Sequence, residues 1–328
     1  MSLGLSNDRA MESMVVSFKK LPADAVAIAG GKGASLARIA AAGFPVPPGF
    51  VVCTAALSWF LGDDGARLVR GLAGLNVEQR DSLEKASRAI CDWICAHSLP
   101  RNLEEAIHRA YVELGRGTPD ALVAVRSSGI SEDSETASFA GQQETYLNVS
   151  GTDAVTDRIR DCWASFFSQR ALFYRGMRAA LTEASIAVVV QEMVQSERSG
   201  VMFTVDPVQK RREHMVIEAV FGLGEGIVSG SITPDHLVID RENGSIVEEF
   251  VAYKSSAVVW DGADAVTTEV KLPEEKAKAR VLTEADVASL RQMGLRLEEH
   301  FGKPQDVEWS FRGEHLVLLQ SRPITAFR

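Results

Sequence analysis

A short apolar segment that runs into a polar loop constrains the fold of this chain more than any other stretch. Leu122, Val123 and Val125 have the size and β-branching of a buried strand, and Arg126 follows them directly. Residues 127–141 are rich in Ser, Gly and acidic side chains, which is typical of a surface loop. Because such a loop can fold over a ligand when strands hold its ends, the stretch predicts a binding loop preceded by a cation.

Arg126 and the loop after it carry groups that suit an anion. The guanidinium is a planar fork of donors that matches phosphate oxygens, and small residues such as Gly141 let backbone N–H groups approach an anion. An ion pair between Arg126 and Glu132 or Asp133 is the structural alternative. These residues alone leave both interpretations open.

The charge balance and the hydropathy argue against some partners. The 328 residues include 35 Lys and Arg against 44 Asp and Glu, a net charge of −9, and there is no basic tract. A nucleic-acid partner is therefore not expected. No apolar run reaches the roughly 18 residues that a bilayer span requires, so we expect no membrane partner and a cytoplasmic location.

A glycine-rich turn before a helix marks a second candidate anion site. Residues 30–33 read Gly-Gly-Lys-Gly, helical spacing of apolar residues starts at Ala34, and Gly43 ends it. Lys32 would then lie at a helix N-terminus, where the dipole and unpaired N–H groups favour an anion. The spacing is not that of a P-loop, so a plain glycine turn is the alternative interpretation.

The second half of the chain changes character, with closely spaced strands and one strong helix from residue 186 onward. We therefore expect two lobes, residues 1–184 and 185–328. A strand in the second lobe carries Glu218 among apolar neighbours, where a carboxylate is costly unless a partner satisfies it. The first apolar run of this lobe ends in Gln191, Glu192, Met193 and Val194.

Local patterns predict several further elements. Residues 51–54 read as a strand, and apolar residues at helical spacing mark two amphipathic helices, over residues 83–93 and 103–114. Asn243-Gly244 predicts a hairpin turn. Thr283 with Asp286 three residues later predicts the cap of a helix that runs to Gly302.

The C-terminal strand pair predicts a group of oxygen donors. Apolar and polar side chains alternate over residues 306–311, so one face of this strand is apolar and the other acidic. If Glu308, Gln320 and Arg322 share a face, the two oxygen donors would suit Mg²⁺ and the guanidinium would suit a phosphate.

The turn between the two strands decides which side chains share that face. A two-residue turn at 312–313 would pair Phe311 with Glu314 and direct Gln320 away from Glu308. A three-residue turn at 312–314 instead pairs Phe311 with His315. We expect the three-residue turn, which brings together Asp306, Glu308, Gln320 and Arg322.

Nine motifs along the chain resemble, in order, the nucleotide-binding domain of phosphoenolpyruvate synthase, pyruvate phosphate dikinase and rifampin phosphotransferase. They cover nearly the whole chain and read GGKGASL, PVPPGF, VRSS, SFAGQQETYLNV, QEMV, SGVMFTVDP, GLGE, DVEW and LQSRPIT. The resemblance implies an ATP-grasp fold of the mixed α/β (α+β) class. ATP would lie between an N-terminal α/β lobe and a more β-rich C-terminal lobe.

The same resemblance implies roles for individual residues. Lys32 and Arg126 would contact phosphates, and the loop at Gly141 with Thr145 would cover them. Glu308 and Gln320 would hold Mg²⁺, and Arg322 would stabilise charge on the transferred group, as expected where positioning and electrostatics dominate catalysis. Glu218 would either reach the ribose or be structural. The segment expected to border the adenine is Gln191, Glu192, Met193 and Val194.

One part of the family pattern is missing from this sequence. Family members pass the phosphate through a histidine on a separate domain, in a Thr-Ser-His type of context, and no histidine here has that context. His236, in the most loop-like setting, is a poor candidate acceptor. We therefore expect a phosphohistidine domain as a partner, either in the same longer polypeptide or on a separate chain.

The resemblance leaves the final phosphate acceptor open. The leading hypothesis is an ATP-dependent phosphotransferase domain as in phosphoenolpyruvate synthase, which forms phosphoenolpyruvate from pyruvate and releases AMP and phosphate. The ATP-binding domain of a rifampin phosphotransferase is the first alternative. A non-catalytic nucleotide-binding module is the second. Because a sensor could lose Gln320 and Arg322, their retention together with Lys32, Arg126 and Glu308 argues against it.

Overall fold

The structure, a computed structural model, describes residues 13–130, 144–177, 181–262 and 266–325. The described residues form two compact units. The first runs to Met193 but excludes residues 39–47, which belong to the second unit with the chain from Val194 onward.

An antiparallel sheet of five strands forms the centre of the first unit, in the order β1-β2-β5-β3-β4. Its central strand β5 is a continuous apolar run, because both faces of the sheet are covered. The strands are β1 (Val15–Ser17), β2 (Gly49–Val52), β3 (Val123–Gly129), β4 (Thr145–Val149) and β5 (Ile186–Glu192).

Helices cover the two faces of this sheet. On one face Val125 and Val190 join a core that includes Trp163. On the other face α1 packs so closely that a Cβ on Gly33 would lie 3.1 Å from a methyl of Val51. The helices of this part of the chain are α1 (Val26–Ala41), α2 (Thr54–Arg70), α3 (Arg80–Ala96), α4 (Arg101–Leu114), α5 (Thr152–Ser165) and α6 (Gln169–Gly176).

The second unit contains a six-stranded antiparallel sheet in the order β13-β12-β6-β7-β8-β9. A separate two-stranded hairpin, β10-β11, accompanies it. The strands are β6 (Arg198–Phe203), β7 (His214–Phe221), β8 (Asp235–Asp240), β9 (Ile246–Phe250), β10 (Ser256–Asp261), β11 (Val266–Lys271), β12 (Gln305–Arg312) and β13 (His315–Pro323). The helices are α7 (Glu225–Val228), α8 (Glu274–Lys278) and α9 (Glu284–Phe301).

Helix α9 covers the apolar face of the six-stranded sheet. A Cβ on Gly294 would lie 2.4 Å from Met215 and 3.0 Å from Met202, so glycine permits this close approach. The helix begins with the predicted capping box between Thr283 and Asp286, and it ends at Gly302 in the left-handed conformation.

The mixed α/β (α+β) class predicted from the sequence is confirmed, since the described residues form antiparallel sheets packed with helices. The predicted turn at Asn243-Gly244 is also confirmed, because it joins β8 to β9 with Gly244 at φ 78°. None of the described helices combines the length and the apolar character that crossing a membrane requires.

Three expectations about elements need correction. The apolar run assigned to the second lobe is β5, which pairs with β2 and β3 of the first sheet, so the change of sheet follows Glu192 and not residue 184. Thr54 begins α2 and does not end a strand. Ser127 and Ser128 belong to β3 and are buried, because pairing with β5 extends the strand beyond Arg126. The two lobes as functional parts remain a prediction.

Candidate functional site

Lys32 lies at a break in helix α1. The backbone leaves the helical conformation at Gly30, with φ 67° and ψ 175°, and the helix continues after it. Lys32 therefore belongs to the first turn of the second segment, as the glycine-rich motif predicted. Its side chain is buried, and Nζ donates a hydrogen bond to the carbonyl of Ser127 at 3.0 Å.

Arg126 lies on the face of the first sheet against which α1 packs. It is half-buried and directly opposite Thr145 on β4 and Val189 on β5. Cross-strand neighbours share a face, so the exposed Thr145 lies on the same face as Arg126. The loop residue Gly141 and the alternative ion-pair partners Glu132 and Asp133 lie outside the described residues.

The segment expected to border the adenine spans the point where the two units divide, after Met193. Gln191 is buried opposite Ala124 on β3. The N–H groups of Glu192 and Met193 donate to backbone carbonyls, those of Pro48 and Leu122, each at 2.9 Å. Hydrogen bonds to a base would have to come from other groups of this segment.

The side chains of Glu192 and Val194 have different settings. The Glu192 carboxylate is 3.9 Å from the guanidinium of Arg116, which is largely exposed. Val194 is partly buried, and its carbonyl accepts a hydrogen bond from the hydroxyl of Ser196. A role for either residue beside a base stays a prediction.

The carboxylate of Glu218 lies close to the ring of a histidine. On β7 it lies opposite His236 of β8, with Nδ1 of the ring 3.5 Å from the carboxylate. The interpretation of His236 as a loop residue is wrong, because strand pairing begins one residue earlier, at Asp235. Whether Glu218 also serves a ribose stays a prediction.

The C-terminal hairpin brings its four polar side chains together, but not through the expected turn. Arg312 pairs with His315, so only Gly313 and Glu314 form the turn. The pairing then shifts by one residue at a β-bulge between Trp309 and Glu308, where Leu319 is the extra residue.

This bulge decides on which face of the sheet four polar side chains lie. Beyond it, Glu308 lies opposite Gln320 and Asp306 lies opposite Arg322. The predicted grouping of these residues on one face is confirmed, whereas the predicted three-residue turn is wrong. The physical reason is that a β-bulge changes the register as an extra turn residue would.

Arg322 and Asp306 form an ion pair at this face. Nε and Nη2 of the guanidinium lie 2.8 Å and 2.7 Å from the same carboxylate oxygen. Burial raises the pKa of Asp306 above its ordinary value, the charge and hydrogen bond of Arg322 oppose the rise, and the charge of Glu308 adds to it. Arg322 is half-exposed, so its charge is also accessible to solvent.

Glu308 belongs to a row of paired residues that crosses the sheet from strand to strand. From Gln320 the paired positions run through Glu308, Val201 and Glu218 to His236. Adjacent strands are about 4.8 Å apart, so the backbones at Glu308 and Glu218, two strands apart, are separated by about 10 Å. The two carboxylates therefore belong to neighbouring parts of one surface.

The pair Glu308 and Gln320 fits Mg²⁺ by its donor chemistry. Mg²⁺ takes oxygen ligands and is commonly held by one or two protein side chains, with water and substrate phosphate in the other positions. Within the described ranges no group of three or more His, Cys, Asp or Glu is arranged to hold a metal ion. A site here would thus depend on the carboxylate and the amide together.

Sequence reasoning missed Ser127 and Ser128, which hold the Lys32 segment to β3. Small polar residues after a strand are also the signal for a loop, so local composition gave the opposite answer. The role of these serines could have been predicted only by knowing that β3 continues past Arg126 and pairs there with β5.

The described residues thus offer a lysine just after a helix break, an arginine on β3 and a hairpin face with two carboxylates, an amide and a guanidinium. These are groups with which a nucleotide-binding phosphotransferase domain can bind phosphate and a metal ion. The chain belongs to the family described as the pyruvate phosphate dikinase AMP/ATP-binding domain, whose model matches residues 26–328. The ATP-binding character expected from the motifs is thereby confirmed.

Relatives with two kinds of names match the chain. A probable phosphoenolpyruvate synthase of Methanothermobacter thermautotrophicus is 42% identical over 320 residues, covering 96% of this chain and 46% of the relative. The phosphoenolpyruvate synthase of Pyrococcus furiosus is 36% identical and covers 95% of the chain and 44% of the relative. The rifampicin phosphotransferase of Bacillus cereus is 37% identical, with 96% and 36% covered. The chain thus spans less than half the length of these relatives.

Proposed function

We propose that this chain binds Mg-ATP and transfers a phosphoryl group to a histidine on another domain, as part of a phosphoenolpyruvate synthase type of reaction. The observation that carries the proposal is the pairing of Glu308 with Gln320 beside Asp306 and Arg322 on one sheet face. Two oxygen donors next to a guanidinium suit a metal ion and the phosphate bound to it.

The proposed roles follow from charge and position. Lys32 and Arg126 bind phosphate oxygens, Thr145 and the loop at Gly141 cover them, and Arg322 stabilises charge that develops on the transferred group. Glu218 binds the ribose. The base lies beside the segment Gln191, Glu192, Met193 and Val194.

Glu308 and Gln320 hold Mg²⁺, which when bound neutralises phosphate charge. A P–N bond forms between the acceptor histidine and phosphorus as one P–O bond of the triphosphate breaks, and water cleaves the second phosphoanhydride bond. ATP, histidine and water thus yield phosphohistidine, AMP and phosphate. Removing one well-placed donor should cost about 2 to 4 kcal/mol of transition-state stabilisation.

Calorimetric titration with ATP and Mg²⁺ tests the binding part of the proposal. Saturable binding that weakens in both Lys32→Ala and Glu308→Ala supports it. Glu314→Ala, an exposed carboxylate in the turn of the same hairpin, is the matched control and should bind as the wild type does. No binding by a demonstrably folded wild-type chain would contradict the proposal.

Transfer needs a second experiment, because the expected acceptor is on another domain. The chain, ATP and Mg²⁺ are mixed with a separately produced histidine-bearing domain of a phosphoenolpyruvate synthase. Phosphohistidine detected by mass spectrometry, with an equal amount of AMP, supports the proposal. ATP binding without either product favours the non-catalytic module.

The similarity to a rifampicin phosphotransferase supports one alternative, in which the phosphate finally reaches an antibiotic. Phosphoryl transfer from ATP to a histidine is expected in both cases. Transfer to the histidine domain of one type of relative but not of the other would distinguish them.

A further inference from the structure

The hydroxyl of Ser128 joins the two segments of α1 that Gly30 separates. Ser128 is fully buried, and its Oγ donates a hydrogen bond to the carbonyl of Ala29 at 2.8 Å. The same oxygen accepts a hydrogen bond from the N–H of Gly33 at 3.1 Å. Ala29 precedes the break and Gly33 follows it, so one side chain on β3 satisfies a backbone group on each side.

The backbone of Ser128 also determines the conformation at the break. Gly30 has φ 67°, and a Cβ at this position would lie 2.1 Å from the carbonyl oxygen of Ser128. Only a residue without a side chain fits against the strand there. The path of α1 at Gly30 is therefore set by contact with Ser128.

Lys32 lies between Gly30, which packs against the Ser128 backbone, and Gly33, which bonds to the Ser128 hydroxyl. It is two residues after Gly30 and one before Gly33, and its Nζ donates to the carbonyl of Ser127 at 3.0 Å. The two serines follow Arg126 directly on β3. One strand therefore carries Arg126 and also holds the segment that contains Lys32.

We propose that Ser128 is a positioning residue that fixes the break in α1 and so sets Lys32 for an anionic phosphate. The proposal rests on the proposed function, because it assigns Lys32 to a phosphate of the nucleotide. A cation held in place before the ligand arrives loses less conformational freedom on binding. Loss of the Ser128 hydroxyl loosens the segment and weakens phosphate binding through Lys32.

The first test is ATP affinity of Ser128→Ala, measured by calorimetry with Mg²⁺. We expect binding about tenfold weaker, which is equivalent to one or two lost hydrogen bonds. Ser87→Ala is the matched control, because Ser87 is also buried and donates to one carbonyl, that of Phe167, within the core of the same unit. It should bind ATP as the wild type does.

A double-mutant cycle separates positioning from general destabilisation. In a Lys32→Ala background, Ser128→Ala should weaken ATP binding by less than about twofold, because the residue through which it acts is gone. A full tenfold loss in that background would overturn the proposal. If Ser128→Ala does not fold, Ser128→Cys keeps the side-chain size while providing a poorer hydrogen-bonding group.

A second readout does not depend on ATP. The rate at which an amine-reactive acetylating reagent modifies Lys32 is followed by mass spectrometry, with the exposed Lys85 as an internal reference. Lys32 should react about tenfold faster in Ser128→Ala than in wild type, because its donor contact is loosened. An unchanged rate overturns the positioning role. If Lys32 reacts faster in Ser128→Ala but the wild-type chain binds no ATP, the positioning role is supported and the proposed function is rejected.

Discussion

Glu308 on β12 lies directly opposite Gln320 on β13, one residue pair beyond a β-bulge. The pairing at the turn, Arg312 with His315, would by itself place Leu319 opposite Glu308 and Gln320 on the apolar face. The extra residue in β13 moves Gln320 to the polar face. The proposed metal ligands therefore share a face because of one irregularity in the ladder.

Replacing Glu308 by Ala should weaken ATP binding only when Mg²⁺ is present. One of two protein oxygen ligands is lost, so we expect an affinity reduced about tenfold or more in Mg²⁺, worth about 1.4 kcal/mol or more. Calorimetry with Mg²⁺ and again with a chelator gives the comparison. An equal loss in both conditions would mean that Glu308 acts on the nucleotide without a metal ion.

Replacing Gly30 by Ala should destabilise the first unit more than the same change at Gly74. Both glycines have positive φ, 67° and 76°, but a Cβ on Gly74 meets no atom within 4 Å, whereas one on Gly30 meets Ser128. A side chain at positive φ costs about 1–3 kcal/mol of backbone strain. We expect about 1–3 kcal/mol more for Gly30→Ala, because the Cβ meets Ser128 and because ψ 175° places Gly30 in a region that is essentially restricted to glycine. Urea denaturation measures both; equal losses would show that the break tolerates a side chain.

Replacing Asp286 by Asn should destabilise the second unit in a pH-dependent way. Asp286 caps α9 and accepts hydrogen bonds from the Arg198 guanidinium at 3.1 Å and 2.8 Å. Burial alone would raise the pKa of Asp286, but the hydrogen bonds of Arg198 and Thr283 outweigh it and hold the pKa below its ordinary value. We expect a loss of about 1–3 kcal/mol at pH 7.

The sign of this pH dependence follows from the lowered pKa. The stabilisation by the carboxylate is fully present above its unfolded pKa of about 3.9 and is lost as pH falls through the lower folded value. The difference between wild type and Asp286→Asn should thus shrink below about pH 4. Glu284→Gln, in the same helical turn but largely exposed, is the control and should show little difference at any pH. A constant difference would show that the charge of Asp286 does not contribute.

Replacing Lys254 by Met should strongly destabilise the second unit. Lys254 and Asp235 form an ion pair with almost no exposure, and Asp235 also accepts from the N–H groups of Ala252 at 3.0 Å and Val281 at 2.7 Å. Removing the lysine leaves a buried carboxylate without its cation, at a cost of about 3–5 kcal/mol. Urea denaturation measures the loss.

A second substitution tests the cause of that loss. Combining Lys254→Met with Asp235→Asn removes the buried charge. The amide has a single oxygen, so it can accept from only one of the N–H groups of Ala252 and Val281, which bond to different oxygens of the carboxylate. The double variant should regain part of the lost stability. If it is no more stable than Lys254→Met, the unpaired buried charge is not the main cause of the loss.

Local signals in the sequence predicted most of the regular elements. These signals involve residues close in the chain. They are the apolar spacing of α3, α4 and α9, the capping box at Thr283 and the turn at Asn243-Gly244. Such patterns depend on short-range geometry, which a single sequence contains. The helix α2, which begins at Thr54 and bends at Gly62, was not predicted, because its glycine and acidic residues interrupt the pattern.

For the candidate site, the sequence predicted the residues but not the contacts that position them. The motifs were sufficient to identify Lys32, Arg126, Glu308, Gln320 and Arg322 as candidates and to name the nucleotide family. The extension of β3 through Ser127 and Ser128 could not be predicted, because their pairing partners on β5 are about 60 residues away in the chain.

The sequence by itself determined the family, the nucleotide chemistry and the polar groups available for it, since these depend on residue types in a fixed order. Only the tertiary structure decided that a bulge at Leu319 places Gln320 opposite Glu308, and that Ser128 holds the break before Lys32. Register and long-range hydrogen bonds depend on which strands and helices meet. That is decided by the packing of the whole unit, and no local pattern encodes it.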